Sequence, residues 1–208
     1  MQRAGLWRAG ELPAVAGLAT SHAALDGLLP GGGWPRSGLT EILSAEAGIG
    51  ALRLVLPALA RLSGEDCWII WVSPPHVPYS PALSAHGVDL ARMLIVDWPD
   101  EPGAAKAQAL WAYEQALRFT DCAAALLWLE HASHLELRRL QLAAESGGTW
   151  GIVFRPERYA AQASPAPCRL RLEPAPGAVS ATGPHSRVQV TLLKARGGQP
   201  GARCVVQL

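Results

Sequence analysis

Leu39 to Leu62, LTEILSAEAGIGALRLVLPALARL, sets the frame into which the rest of the chain must fit. Leu39 to Leu43 is a short apolar run with β-branched Thr40 and Ile42, the length of one buried strand. Small residues follow from Ser44 to Gly50, and the spacing predicts a mostly apolar helix over about 51–62. Strand, small-residue loop and helix form the frame of a phosphate-binding loop, in which backbone N–H groups converge on an anion. The full motif is Gly, four residues, then Gly-Lys-Ser/Thr; the lysine neutralises phosphates and the hydroxyl holds Mg²⁺. On that frame Ser44 replaces the first glycine, and Ile49, Gly50 and Ala51 stand at the Gly-Lys-Ser/Thr positions. Both chemical side chains are missing, and the nearest cation, Arg53, lies beyond the loop on the helix. Ser44, Gly48, Gly50 and Ala51 thus read as a vestigial phosphate loop, or more plainly as a Gly-rich turn in an ordinary α/β unit. A helix N-terminus contributes about 0.3–1 kcal/mol toward an anion, about 2 in a sheltered site. Micromolar affinity needs roughly 8 kcal/mol. No bound nucleotide or other cofactor is expected.

Downstream the periods alternate. Pro57 falls inside the helical pattern and should bend or shorten that helix. Cys67 to Val72 is a continuous apolar run, a strand buried on both faces. Four prolines between Ser73 and Pro81 forbid regular structure. A short helix through Leu83, a strand at Met93–Val96 and a helix over 102–119 follow, the last with Ala107, Leu110, Trp111 and Leu117 on one stripe. Ala123 to Leu129 is another buried strand, ending at Glu130. Ser133 and Glu136 form a capping box that opens a helix closed by Gly147-Gly148, and Trp150 to Phe154 is the fifth strand. Beyond Arg155 only shorter strands remain, at 169–172, 187–193 and 204–208. The expected architecture is α/β: a mostly parallel sheet with helices on both faces and antiparallel strands at a β-rich C-terminal edge.

With 208 residues, half of them hydrophobic, the chain can bury one sizeable core. We expect an N-terminal arm over 1–20, with Leu6 and Trp7 as an apolar pair for self-association, and a single domain over 21–208. Its longest unbroken apolar run, Cys122 to Leu129, has eight residues, against about 20 for a membrane-spanning helix. Glu11 and Pro13 interrupt any signal-peptide core, and four scattered cysteines include no CxxC pair. A cytoplasmic protein with no membrane association is the expectation. Charge is uneven. Residues 1–154 carry 10 basic and 15 acidic side chains, whereas 155–208 carry 8 basic and 2 acidic ones. A basic end suits a nucleic acid or an acidic protein, with Arg187, Lys194, Arg196 and Arg203 as the candidate contacts; it also suits the solvated face of a hairpin.

From Thr20 onward the chain resembles the RecA-like fold, and within it is similar to the ImuA family of bacterial DNA-damage proteins. The resemblance rests on Ala24-Leu25-Asp26, on LPGGGWPR (29–36) leading into LTEIL (39–43), and on the lysine-less AGIGALRL loop (47–54). Gly87-Val88-Asp89 and the segment RVQVTLLKARGGQPGA (187–202) also follow a recombinase core. The resemblance implies a non-enzymatic accessory protein of SOS-induced, error-prone translesion synthesis. Its implied partners are an ImuB-type homologue of Y-family polymerases and a DnaE-type polymerase, with RecA, single-stranded DNA and further copies of itself as additional candidates. Two alternatives stand beside it: a SulA-like cell-division inhibitor, and a DNA-dependent ATPase using Arg53 or a neighbour's lysine. Departures from an active recombinase favour a non-enzyme. Pro75 occupies the place of the catalytic glutamate, and Glu130 is left as a vestigial Walker B carboxylate without a lysine to cooperate with. The first DNA-binding loop is missing, and the second is shortened to about 155–167.

Other clusters read as structural. His131 and His134 beside Glu130 and Glu136 fit capping and surface roles better than a metal site. Asp97, Asp100 and Glu101 fit helix N-terminal charge. Trp68, Trp71, Trp128 and Trp150 are expected in the core, whereas Trp7 and Trp34, in irregular segments, are expected at an interface.

Overall fold

The computed structural model describes residues 16–45, 49–97, 105–176 and 186–208. Leu6, Trp7, Gly48, Asp100 and Glu101 lie outside them. The elements in order are α1 (Ala23–Leu28), β1 (Gly38–Ser44), α2 (Ala51–Gly64), β2 (Trp68–Val72), α3 (Ser80–Ala85), β3 (Met93–Val96) and α4 (Ala105–Arg118). Then come β4 (Cys122–Trp128), α5 (His134–Gly147), β5 (Trp150–Pro156), β6 (Cys168–Pro174), β7 (Arg187–Ala195) and β8 (Arg203–Gln207). They build one eight-stranded sheet in the order β3-β2-β4-β5-β1-β6-β7-β8. The first six strands run parallel, and β7 and β8 pair antiparallel at one edge.

Each face of the sheet has its own core. Alternation along the buried strands sends Ile42, Trp71, Leu126 and Ile152 to the side covered by α1 and α2. Leu39, Ile70, Leu127 and Val153 go to the side covered by α4 and α5. Ser133 accepts from the Glu136 amide at 3.2 Å while the Glu136 carboxylate accepts from the Ser133 amide at 2.7 Å, so the expected capping box opens α5. Gly148, with φ of 70°, closes the helix in the left-handed region.

Three sequence expectations give way to packing. Pro57 does not shorten α2, which runs on to Gly64. Its ring removes one backbone donor, and burial of Leu54, Val55, Leu56, Leu59 and Leu62 outweighs that loss. The stripe expected on α4 is rotated: Ala109, Leu110, Tyr113, Ala116 and Leu117 are buried, whereas Ala107 is exposed and Trp111 is 62% exposed. Tyr113 decides the rotation, because its hydroxyl reaches the carbonyls of Ala125 (3.3 Å) and Ile152 (3.2 Å) beneath the helix. Trp34 is no interface residue. It is fully buried, 5.4 Å from the Trp150 ring centroid, and its backbone pairs with Leu18. Glycine at 33 permits this close crossing, since a Cβ there would lie 2.1 Å from the Leu18 carbonyl oxygen.

Candidate functional site

Parallel strands end on the same side of a sheet, and the crevice outside their carboxyl ends is where open α/β folds place ligands. Here β1, β2, β4 and β5 end around a cleft of about 780 Å³. One wall is the start of α2, at Gly50 to Arg53; the facing wall is the Ser73–Pro78 segment; Glu130 and Arg158 stand at its rim. The floor is aromatic. Trp128 and Phe154 occupy the same register on adjacent strands and stack with centroids 4.8 Å apart. Trp71 lies 5.4 Å from Trp128 on the other side. Ser73, where the chain leaves β2, has a φ of 48°, an uncommon left-handed conformation for a non-glycine residue.

The segment expected as a vestigial phosphate loop contributes Ser44, Gly50 and Ala51 to this cleft. Gly50 caps α2 with a φ of 99°, and a Cβ there would lie 2.1 Å from Leu208 Cδ1. A side chain at the motif's lysine position would therefore be strained by the backbone conformation and would have to displace the Leu208 methyl. Arg53 donates to the Ser186 hydroxyl at 3.2 Å. Glu130, expected as a vestigial Walker B carboxylate, is largely exposed and ion-paired with Arg158. Pro75 lies in the facing wall. Among the described residues no group of His, Cys, Asp and Glu is arranged to hold a metal ion.

Behind the cleft lies a charge cluster that sequence reading missed. Glu41, on β1, has no exposed surface and accepts from Arg155 Nη1 at 2.8 Å and from Arg169 Nε. Arg155 also stacks on the Tyr159 ring at 4.7 Å, and Arg169 donates to the carbonyls of Tyr159, Ala160 and Gln162. These bonds pin the connection from β5 to β6 that was expected as a shortened DNA-binding loop. A carboxylate in the middle of an apolar strand was the available signal, since a buried charge needs a partner.

The basic C-terminal region is correspondingly less of a surface. Arg155 and Arg169 are buried, and Arg171 is paired with Glu157 at 3.6 Å and Glu173 at 3.1 Å. Arg187 and Arg203 are exposed on one face of β7 and β8, where Thr191 is paired with Arg203. Lys194 lies seven residues from Arg187, roughly 24 Å along the strand, and donates to the Ser164 carbonyl at 2.8 Å. Arg196 is exposed in the turn after β7. The four residues string out along a hairpin rather than converge.

Residues 38–151 match the family model described as cell division inhibitor SulA. Protein ImuA of Caulobacter vibrioides is 31% identical over 202 aligned positions, covering 88% of this chain and 80% of that protein. The chain belongs to the ImuA/SulA-like family. Cell division inhibitor SulA of Edwardsiella piscicida is 34% identical over 134 residues, 63% of this chain and 77% of that one. The crystal structure of SulA from Pseudomonas aeruginosa aligns with a TM-score of 0.46 at 27% identity, covering 56% of this chain and 97% of that one. The ImuA/SulA-like segment matched by the family model runs from the start of β1 to the start of β5. It includes the degenerate loop and stops short of β6, β7 and β8.

Proposed function

We propose that this protein is a non-catalytic accessory factor of the SOS response that acts in error-prone translesion synthesis with an ImuB-type polymerase homologue and a DnaE-type polymerase. The observation that carries this reading is the extent of the two relationships. The ImuA relative aligns across 88% of the chain, whereas the SulA family match ends at residue 151. The sheet order, six parallel strands and an antiparallel pair at the edge, supports a RecA-like core that has lost its phosphoryl chemistry. Phosphoryl transfer depends on positioned charge, and here the lysine position is Gly50, the hydroxyl position is Ala51 and the glutamate position is Pro75. Direct contact with single-stranded DNA through Arg187, Lys194, Arg196 and Arg203, contact with RecA, and self-association through Leu6 and Trp7 belong to the same reading.

A SulA-like division inhibitor is the second reading, supported by the family match itself. Affinity capture of the tagged full chain from damage-induced cells, followed by mass spectrometry, separates the two. Recovery of polymerase subunits is the expected result. A tubulin-like division protein in their place would establish the inhibitor reading instead.

A further inference from the structure

The cleft at the strand ends is roomy, about 780 Å³, and its lining does not suit a nucleotide. A polyphosphate with its metal would lie on a floor of Trp71, Trp128 and Phe154, aromatic faces that cannot replace lost hydration. Three prolines, Pro74, Pro75 and Pro78, line the facing wall with rings and carbonyls and no backbone donor. The charged side chains among the described lining residues are mostly positive. Arg155 and Arg158 line the cleft together with Arg53, which is held by Ser186, and Glu130 is the one carboxylate among the described lining residues. Glu41 does not cancel this, because it is shared between Arg155 and Arg169. Trp71 is 99% buried (1% exposed), and its Nε1–H has no acceptor. Buried donors are almost always satisfied; the core Trp34 Nε1–H is unpartnered too, and Trp71 differs from it in lining the cleft, where a ligand can supply the acceptor.

We infer that the cleft binds an extended acidic segment of a protein partner, with one large apolar side chain seated on the Trp71–Trp128–Phe154 floor. Carboxylates or carbonyls beside that anchor accept from the Trp71 indole and from the rim guanidiniums. An apolar anchor ringed by complementary charge is a common way for a small surface to be specific. A single carboxylate per guanidinium matches the cleft, whereas a polyphosphate would need a cation where the chain has Gly50. The inference rests on the accessory reading only in taking the ligand from a protein, and it names the surface and chemistry of that contact.

The test uses the full chain labelled with ¹⁵N and a capped peptide in which one Phe is flanked by Asp-Leu repeats. The Trp71 indole signal, assigned with Trp71→Phe, should move on titration. Replacing every Asp by Asn, or introducing Arg158→Glu into the protein, should each weaken binding about tenfold. Arg158 is exposed, so the variant folds; unchanged indole signals of the buried Trp34 and Trp150 verify this. Three results would overturn the inference: no movement of the Trp71 signal at millimolar peptide, equal binding of the Asn peptide, or tighter binding of inorganic triphosphate at the same signal. Capture of no polymerase together with peptide binding removes the accessory reading and leaves this site. The reverse outcome removes the site and leaves that reading.

Discussion

Glu41 shows how much one side chain can decide. Its carboxylate holds two guanidiniums in a space from which water is excluded, with Arg155 3% and Arg169 5% exposed. Removing one partner of a buried ionic cluster leaves charge without compensation and costs about 3–5 kcal/mol, a large share of a typical total of about 5–15. Glu41→Gln should therefore lower the unfolding free energy in urea by about 3–5 kcal/mol. Glu157→Gln, which touches only the half-exposed pair with Arg171, should change it by less than about 1. Similar losses in the two variants would show that the cluster is not the anchor described here. Glu136 supplies a pH signature. Partial desolvation acts to raise its pKa, but the Ser133 amide and hydroxyl and the Lys106 ammonium outweigh it and hold the carboxyl at about 2 rather than 4.5. A depressed folded value means that stabilisation is complete above 4.5 and drains away as the pH falls from there through about 2. Urea midpoints measured from pH 6 to pH 2.5 should fall more steeply in the wild type than in Glu136→Gln. Parallel curves would refute the assignment.

At the level of elements, β7 and β8 carry the part of the basic region that still faces solvent. Lys194 is tied to Ser164 and fixes the β5–β6 connection, so its loss affects structure as well as charge. Arg187, Arg196 and Arg203 are exposed and make the cleaner probe. Their joint replacement by Ala should leave the melting temperature unchanged, since exposed charges contribute little to stability. If the hairpin meets single-stranded DNA, the same variant should bind it more weakly and flatten the salt dependence by up to about three phosphate contacts. Fluorescence anisotropy at several salt concentrations measures both. An unchanged slope would remove DNA from the function of this hairpin.

At the scale of the whole molecule, a mostly parallel α/β sheet ends in a cleft lined by aromatic and proline side chains. The purified chain should show no ATP hydrolysis above background and no thermal shift with ATP and Mg²⁺. Turnover abolished by Glu130→Ala would reverse this. Self-association is the other property at this scale. Deleting residues 1–15, which leaves the Leu18–Trp34 pairing intact, should lower the mass seen by light scattering if Leu6 and Trp7 link copies, and an unchanged mass would assign assembly to another surface.

The sequence by itself determined the order of elements, the buried parallel strands and the antiparallel edge. Those depend on local period and on turn residues such as Gly148 and the Ser133–Glu136 pair, which act within a few positions of one another. It also determined that the loop after β1 has neither lysine nor hydroxyl at positions 50 and 51, because a residue's identity is local information. Only the tertiary structure decided which charges are surface. Arg155 and Arg169 count as basic in any local reading, and Glu41, 114 and 128 residues away, is what buries them. It alone turned Trp34 inward, rotated α4 around the Tyr113 hydroxyl and brought Leu208 against Gly50. Each of these is a contact between residues far apart in the chain, where periodicity carries no information and packing decides.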